Sequence, residues 1–444
     1  MCFLHEREQF IEPFGACDRA NFYNLSMKTP ASQAQADAPA VRSAQHALNI
    51  APMTGPHLAN RTRQIAPFQV MQLVKRANAL AEAGKPVIHM SIGEPDFTAP
   101  PKVIEALEDA ARAGRTQYTS AVGIAPLRRA ISHFYDGQHG VSVSPSRIIV
   151  TAGASAALSL ACAALVNPGD QVLMTDPSYP CNRHFVAACD GLAKLVPVGP
   201  ESRFQMTDAL LREHWSDSVR GALLATPANP TGTSIPFDEL GKIIATLRER
   251  QAFAIVDEIY LGLSYTSNGV ARSALEWGDD IIIANSFSKY FSMTGWRLGW
   301  LVVPQAWVDT FEKLAQNLYI CPSALAQYAA LACFDAESMA IYEQRRLELQ
   351  RRRDYLMPEL LAMGFEIPAA PDGAFYIYLD CSRFSPDSSK FASDLLEREF
   401  VSLVPGDDFG FHEPKRYLRL SYATAMPKLQ EAIGRMRQFT ATYR

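Results

Sequence analysis

The chain has 444 residues, of which 48% are hydrophobic and 20% are charged, and its formal net charge is -4. Because this length exceeds one ordinary domain, two domains or one domain with a subdomain are expected. The interspersed charges give no reason to expect nucleic acid or an anionic membrane as a partner. The eight cysteines include no C-x-x-C pair and the histidines show no metal-ligand spacing, so we expect a reducing compartment and no bound metal.

The N-terminal part of the chain has the composition of an unstructured segment. Residues 28–56 are rich in Ala, Pro, Gln and Ser, which predicts a disordered extension over residues 1–55. Its first residues, MCFLHEREQF, mix acidic and basic side chains without an apolar core, so we do not expect them to be a secretory signal. The longest near-apolar run, residues 156–166, is closed by N-P-G and is too short to cross a bilayer. A cytoplasmic location is therefore expected.

The rest of the chain has the texture of an α/β protein. Helical apolar spacing at residues 65–83 belongs to an N-terminal segment, residues 56–99, that we expect to pack with a small domain. Strand-like runs are predicted at 147–150, 172–174, 222–225, 253–256, 281–284 and 299–303. Helices are predicted between them at 102–113, 155–166, 236–250 and 305–317. This alternation predicts a large domain over residues 100–335, with a mostly parallel sheet covered on both faces.

The C-terminal residues 336–444 have a different pattern. One long charged helix is predicted at 336–363, followed by short strands near 374–380 and 416–422, a helix near 388–399 and a terminal helix. This mixture predicts a second, smaller α+β domain.

The first chemical motif surrounds Lys289. It ends the sequence N-S-F-S-K after the predicted strand 281–284, and Arg297 follows eight residues later. Taken alone, such a lysine is typical of a solvated surface. However, the Ser286 hydroxyl and the Arg297 guanidinium are groups that bind a phosphate ester. A lysine held near cations in a desolvated pocket has a lowered pKa and can attack an aldehyde.

A second motif lies at a predicted strand-to-helix turn. The small residues Gly153, Ala154 and Ser155 would let backbone N–H groups and a helix N-terminus approach a phosphate. Any tight turn of this kind looks similar, so the motif is weak alone. The chain has neither a G-x-x-x-x-G-K-[ST] loop nor a G-x-G-x-x-G that opens a helix, and a nucleotide is not the expected ligand.

Further polar residues follow other strands. Asp257 ends a buried run and is either a helix cap or the partner of a protonated pyridine nitrogen. Asn229, in an N-P-T-G turn, and Tyr260 could both hydrogen-bond a ring oxygen, and Tyr179 could stack on a flat cofactor. Arg419 alternates with apolar residues, so it needs an anionic partner, for which a substrate α-carboxylate is suited.

Together these motifs resemble those of the fold-type I, class I/II aminotransferases that depend on pyridoxal 5'-phosphate (PLP), the aspartate aminotransferase-like family. The likeness covers residues 60–440 and is carried by S-F-S-K-(x)7-R with G-W-R-L-G, after N-P-T-G and D-E-I-Y. It implies PLP as cofactor, the PLP-dependent transferase fold and amino acid metabolism, including biosynthesis. It also implies ping-pong transfer of an amino group from an L-amino acid to a 2-oxo acid, for which 2-oxoglutarate is the expected acceptor.

The resemblance assigns roles to individual residues. Lys289 would be the Schiff-base lysine that moves the proton, Asp257 would pair with the pyridine nitrogen, and Tyr260 would assist at the ring oxygen. The implied cofactor-binding residues are Gly153, Ala154, Ser155, Tyr179, Asn229, Asp257, Tyr260, Ser286, Lys289, Arg297 and, reaching the neighbouring subunit's site, Tyr118. The implied substrate-binding residues are Gly93, Asn229 and Arg419. A homodimer with shared active sites follows from the role of Tyr118.

The resemblance leaves alternatives open. Some aspartate-preferring relatives carry a lysine where this chain has Ser155. The absence of that lysine argues against dicarboxylate specificity and leaves an alanine, aromatic, branched-chain or other amino donor open. Arg183 and His184 are more consistent with solvated or structural positions than with substrate contact. The same fold and lysine serve C–S and other β-lyases, which are the alternative reaction class. A transcription-regulator effector domain is disfavoured, because residues 1–55 lack a basic, DNA-binding helical module.

Overall fold

The computed structural model describes residues 58–65, 70–265 and 271–443, which lie in the compact unit Leu58–Arg444. The predicted extension, residues 1–55, lies outside the described residues. The helices are α1 Val70–Glu82, α2 Pro101–Arg112, α3 Ala125–His139, α4 Ala154–Leu165, α5 Pro180–Ala188, α6 Asp208–Glu213, α7 Phe237–Glu249, α8 Val308–Leu318, α9 Ala324–Ala330, α10 Ala336–Met363, α11 Ser388–Glu399 and α12 Met426–Thr442. The strands are β1 Ile88–His89, β2 Ile148–Thr151, β3 Gln171–Asp176, β4 Leu192–Pro197, β5 Val219–Ala225, β6 Phe253–Asp257, β7 Ile282–Ser286, β8 Gly299–Val302, β9 Tyr376–Asp380, β10 Val401–Ser402, β11 Val404–Pro405 and β12 Tyr417–Ser421.

The largest sheet has seven strands within the described part of the chain, in the order β2-β8-β7-β6-β5-β3-β4. Only β8 runs antiparallel to its neighbours β2 and β7. Successive residues of β6 alternate between two hydrophobic cores, with Val256 in one and Ile255 in the other. The sheet is therefore buried on both faces, and the predicted α/β fold with a mostly parallel sheet is confirmed.

A second sheet, β11-β12-β9, is antiparallel. The residues before the large sheet join this region, because Ile88 of β1 pairs with Val401 of β10 and the Met90 carbonyl accepts from Ser421 N at 2.8 Å. The packing of the whole segment 56–99 with a separate small domain stays a prediction. The domain boundaries at 55/56, 99/100 and 335/336 remain predictions.

Most predicted elements are found within a few residues of their expected positions. The helices predicted at 336–363 and 388–399 have those bounds. The helix predicted from residue 65 is found as α1, from Val70, after a short 3-10 turn at Asn60–Arg63. The helix expected from residue 305 begins at Val308, because Gln305–Trp307 form a 3-10 turn. Among the described residues, no helix is long and apolar enough to cross a membrane.

Candidate active site

A cavity of about 520 Å³ opens where the strands β5 and β6 end. Three parts of the chain line it. The large sheet and its loops contribute Ala154, Ser155, Leu158, Tyr179, Ala225, Pro227, Asn229, Asp257, Ile259, Tyr260, Ser288, Lys289, Thr294 and Arg297. The N-terminal segment contributes Val74, Asn78, Ser91, Ile92, Gly93 and Glu94, and the C-terminal sheet contributes Tyr376 and Arg419. The cavity therefore gathers most of the residues predicted from separate motifs.

Lys289 lies in a loop after β7 and is partly buried in this cavity. Its Nζ donates a hydrogen bond to the Gly93 carbonyl at 2.5 Å. Burial lowers the pKa of Lys289 from 10.5 to about 8, assisted by the charges of Arg419 and Arg297, while Glu94 and Asp257 oppose the shift. Because the pKa is near neutrality, a useful fraction of the amine is unprotonated and nucleophilic.

Asp257 is the last residue of β6 and is only 6% exposed. Its Oδ1 accepts a hydrogen bond from Ile259 N at 3.1 Å, within a tight turn rather than at the start of an α-helix. Burial raises the pKa of Asp257 to about 6, against the opposing effects of the Ile259 hydrogen bond and the Lys289 charge. At neutral pH the side chain is thus a buried carboxylate, which can stabilise a protonated ring nitrogen.

A candidate phosphate site lies at the N-terminus of α4. Gly153 caps this helix with φ +85, a conformation that favours glycine. A Cβ at Gly153 would lie 2.6 Å from Arg297 Nη2, so the missing side chain leaves room for the guanidinium against the helix terminus. Arg297 Nη1 donates to the Thr294 carbonyl at 3.0 Å. The guanidinium and the helix dipole together suit an anion.

The two serines of the S-F-S-K motif occupy different positions. Ser288 lines the cavity. Ser286 is 1% exposed, and its Oγ lies 2.8 Å from Ser288 Oγ and 3.0 Å from the Leu298 carbonyl. The hydroxyl of Ser286 therefore supports Ser288 from behind, and Ser288 is the motif serine with direct access to the cavity.

Arg419 in β12 is a buried cation that lines the same cavity. It is 3% exposed, with Nη1 donating to Asn229 Oδ1 at 3.0 Å and Nη2 to the Ser91 carbonyl at 2.7 Å. The rings of Tyr376 and Phe409 lie 4.6 and 4.9 Å from its guanidinium carbon. Its Nε has no hydrogen-bond partner among the described residues. A buried guanidinium held only by neutral groups is suited to bind a carboxylate from outside the protein.

Aromatic hydroxyls complete the cavity. Tyr260 Oη lies 2.9 Å from Tyr376 Oη, and burial raises the pKa of both hydroxyls, which stay neutral hydrogen-bond donors at physiological pH. Because Asn229 Oδ1 accepts from Arg419, its amide nitrogen is oriented as the donor. Tyr179 also lines the cavity, and burial raises the pKa of its hydroxyl.

Some residues considered from the sequence lie elsewhere. Tyr118 is 81% exposed, and it does not line the cavity of the described chain. Arg183 and His184 lie on α5 outside the cavity lining, and the Arg183 guanidinium packs over the Phe411 ring at 5.4 Å. This packing agrees with a structural position for Arg183.

Several lining residues were not predicted. Ser288 is next to Lys289 in the motif and could have been found there. Tyr376 and Asn78 carry no local signal, because their approach to the cavity depends on β9 and α1 packing against distant segments.

The residues present fit PLP. An anion cradle at Gly153 and Arg297 suits its phosphate, the Lys289 amine suits its aldehyde, and the buried Asp257 carboxylate suits its ring nitrogen. The unpaired Nε of Arg419 in the same cavity adds a carboxylate site for an amino acid.

Comparison with known proteins agrees with this interpretation. Residues 85–436 match the family described as aminotransferase class I and II. The chain is 36% identical over 372 residues to the valine–pyruvate aminotransferase of Mycobacterium tuberculosis, covering 84% of this chain and 96% of that protein. It is 31% identical over 392 residues to an aspartate aminotransferase of Rhizobium meliloti, covering 85% and 95%.

Solved structures show the same relationship. The crystal structure of an aminotransferase from Mycobacterium tuberculosis superposes with a TM-score of 0.85 at 35% identity, covering 87% of this chain and all of that one. An aspartate aminotransferase double mutant from Thermus thermophilus superposes with a TM-score of 0.81 at 31% identity, covering 86% and 100%. The chain therefore belongs to the class I and II aminotransferases, PLP-dependent enzymes that transfer nitrogenous groups.

Proposed function

We propose that this enzyme moves an amino group from an L-amino acid to a 2-oxo acid in a ping-pong sequence, and that donor and acceptor use one cavity in turn. The observation that carries the proposal is the presence in that cavity of Lys289, an amine with a lowered pKa, together with Arg419, a buried cation whose hydrogen bonds among the described residues go to an amide oxygen and a carbonyl. The amine can act as the base at the α-carbon of an amino acid, and the guanidinium can position that amino acid by its α-carboxylate.

The cofactor, when bound, supplies an aldehyde and an electron-withdrawing ring. Arg297, Ser288 and the N-terminus of α4 at Gly153, Ala154 and Ser155 hold its phosphate, with Ser286 supporting Ser288. The negative charge of Asp257 keeps the ring nitrogen protonated.

Other residues orient the ring and the substrate. Asn229 and Tyr260 donate hydrogen bonds to the ring oxygen, and Tyr179 packs against the ring face. The guanidinium of Arg419 binds the substrate α-carboxylate. The Gly93 carbonyl accepts a hydrogen bond from Lys289, so contact of Gly93 with a carboxylate would have to come from its N–H.

Lys289 is the proton carrier. Its unprotonated Nζ would take the proton from the substrate Cα, while the bound cofactor would supply the electron-withdrawing ring that makes this proton acidic. In the second half of the sequence, the same group in its protonated form would return a proton to Cα of the incoming 2-oxo acid. A pKa of about 8 lets this group accept and release a proton at physiological pH.

A homodimer with shared active sites forms part of this proposal. Tyr118 is 81% exposed, so its side chain is available to reach the phosphate site of a second subunit. This is the role that the sequence predicts for it. The cytoplasmic location and the acceptor 2-oxoglutarate stay predictions from the sequence. The names of the relatives include both pyruvate and aspartate, so the acceptor and donor need direct measurement.

The test is a half-reaction. Holoenzyme mixed with single amino acids should lose the absorbance of the aldehyde cofactor and gain that of its pyridoxamine form, and adding a 2-oxo acid should reverse the change. Lys289→Ala should abolish covalent trapping of the cofactor by borohydride, whereas Lys313→Ala, at an exposed position, should not. Release of pyruvate and ammonia without the spectral change would contradict transamination and favour a β-lyase.

A further inference from the structure

The helix α1 forms one wall of the cavity. Val74 and Asn78 lie one turn apart, on one face of the helix, and both line the cavity. Leu73, Ala77 and Leu80 lie on a neighbouring face and pack in a separate hydrophobic cluster with Leu396 of α11. The helix is thus held from one side while another side faces the substrate space.

A charged contact also holds α1 in place. Arg76 Nε and Nη2 donate to the two carboxylate oxygens of Glu397 at 2.6 and 2.8 Å. Both side chains are largely exposed, so this pair orients the helix more than it stabilises the fold. The hydrophobic and bidentate contacts with α11 therefore place the face of α1 that carries Val74 and Asn78 toward the cavity.

The cations that this chain contributes to the cavity are all assigned to the cofactor or to the α-carboxylate in the proposed function. Its lining cations among the described residues are Lys289, Arg297 and Arg419. In the proposed function these bind the aldehyde, the phosphate and the substrate α-carboxylate respectively. The lining acids are Asp257, which faces the ring nitrogen in that proposal, and the exposed Glu94.

A second substrate carboxylate would therefore meet no unassigned cation from the described residues. It would instead be placed in a cavity whose remaining charge, on Glu94, is negative. The uncharged lining includes Val74, Asn78, Ile92 and the buried Leu158. Transfer of an unpaired carboxylate from water into such a site is unfavourable, whereas an apolar side chain gains from the same transfer.

We propose that Val74 and Asn78 form a specificity wall that selects apolar side chains over side chains that carry a second carboxylate. This inference rests on the proposed function, because one cavity serves both half-reactions. The selection therefore applies to the acceptor as well as to the donor. A 2-oxo acid with a single carboxylate is the preferred acceptor, and 2-oxoglutarate, the acceptor expected from the family resemblance, is a poorer one.

Single-turnover half-reactions of holoenzyme test the proposal. We expect the apparent second-order rate constant for L-leucine to exceed those for L-aspartate and L-glutamate by about 100-fold, the order of discrimination that an unpaired desolvated group produces. Asn78→Arg places a cation at the wall and should raise the aspartate-to-leucine ratio about tenfold. Ala79→Arg is the matched control, since Ala79 is exposed on the same helix and does not line the cavity, and it should leave the ratio unchanged.

A binding measurement gives a readout that does not depend on turnover. The unreactive acid 4-methylpentanoate should raise the melting temperature of the wild-type holoenzyme more than glutarate does, and Asn78→Arg should reduce that difference. A wild-type preference for aspartate or glutamate would overturn the proposal, including the case in which a partner subunit supplies the missing cation. Equal ratios in the two arginine variants would overturn the role of Asn78. If no amino acid converts the cofactor, the proposed function itself has failed.

Discussion

Replacement of Lys289 by methionine in the cofactor-free protein should stabilise the fold at neutral pH. The Lys289 amine is partly buried and donates a hydrogen bond to the Gly93 carbonyl. Compared with water, this environment still disfavours the charged form, because burial lowers the pKa of Lys289 from 10.5 to about 8. Methionine has a similar length and no charge to desolvate. Burial of the charged Lys289 side chain therefore lowers the free energy of unfolding, and the methionine variant removes this destabilisation.

The size of the cost follows from the two pKa values. A difference between 10.5 and about 8, at about 1.36 kcal/mol for each pH unit, corresponds to about 3 kcal/mol. Since the folded-state pKa is the lower one, the cost is fully present below pH 8 and disappears as the pH rises from 8 to 10.5. Lys289→Met should thus be more stable than the wild type by up to about 3 kcal/mol at pH 7. This advantage should shrink steadily above pH 8.

Urea unfolding of both cofactor-free proteins, followed by intrinsic fluorescence between pH 7 and 10, measures the difference. Lys313→Met is the matched control, because Lys313 is exposed on α8. Its difference from the wild type should stay small and independent of pH. If the difference in free energy of unfolding between Lys289→Met and the wild type did not change between pH 7 and 10, the lowered pKa of Lys289 would be refuted. The argument for a nucleophilic amine would be refuted with it.

Three further changes test the binding groups. Arg419→Lys should lower kcat/KM for amino acids about 100-fold and leave the dissociation constant of PLP unchanged, because lysine cannot form a bidentate pair with a carboxylate; equal losses in both would contradict a substrate role. Gly153→Ala should weaken PLP binding about tenfold in a fluorescence titration, since its Cβ would meet Arg297 Nη2 at 2.6 Å and φ is +85. Because burial raises the pKa of Asp257 to about 6, PLP affinity of the wild type should fall as the pH drops below 6 and the carboxylate is neutralised. The Asp257→Asn variant should bind PLP weakly at both pH 5 and pH 7. If its PLP affinity still depended on pH, Asp257 would be excluded as the source of the pH dependence.

The sequence predicts the large sheet well because local and global signals agree there. Buried parallel strands such as β6 are continuous apolar runs, and their carboxyl ends mark the site, so Asp257 and the loop with Lys289 could be located from the pattern alone. The strand β4 was not predicted. Its residues are mostly exposed or half-buried, as expected at a sheet edge, so it lacks the apolar run that indicates a buried strand.

The remaining parts of the site depend on contacts between distant segments. Asn78 reaches the cavity because α1 packs on α11, and Tyr376 reaches it because β9 pairs with β12. No periodic pattern in the sequence indicates that either pair of elements is in contact. Ser286 shows a second limit of prediction from the sequence. The motif S-F-S-K contains two serines, and only the path of the backbone after β7 determines that Ser288 is the one that lines the cavity.

The hydrogen bond between Arg419 and the Ser91 carbonyl joins residues 328 positions apart. Closing so long a loop is slow compared with forming the β–α units that carry Gly153, Asp257 and Lys289. The cofactor-binding half of the site can consequently assemble before the carboxylate-binding half. During refolding, PLP capture should precede the appearance of amino acid binding, and a chain that ends before β12 would retain every proposed cofactor residue while lacking the substrate anchor.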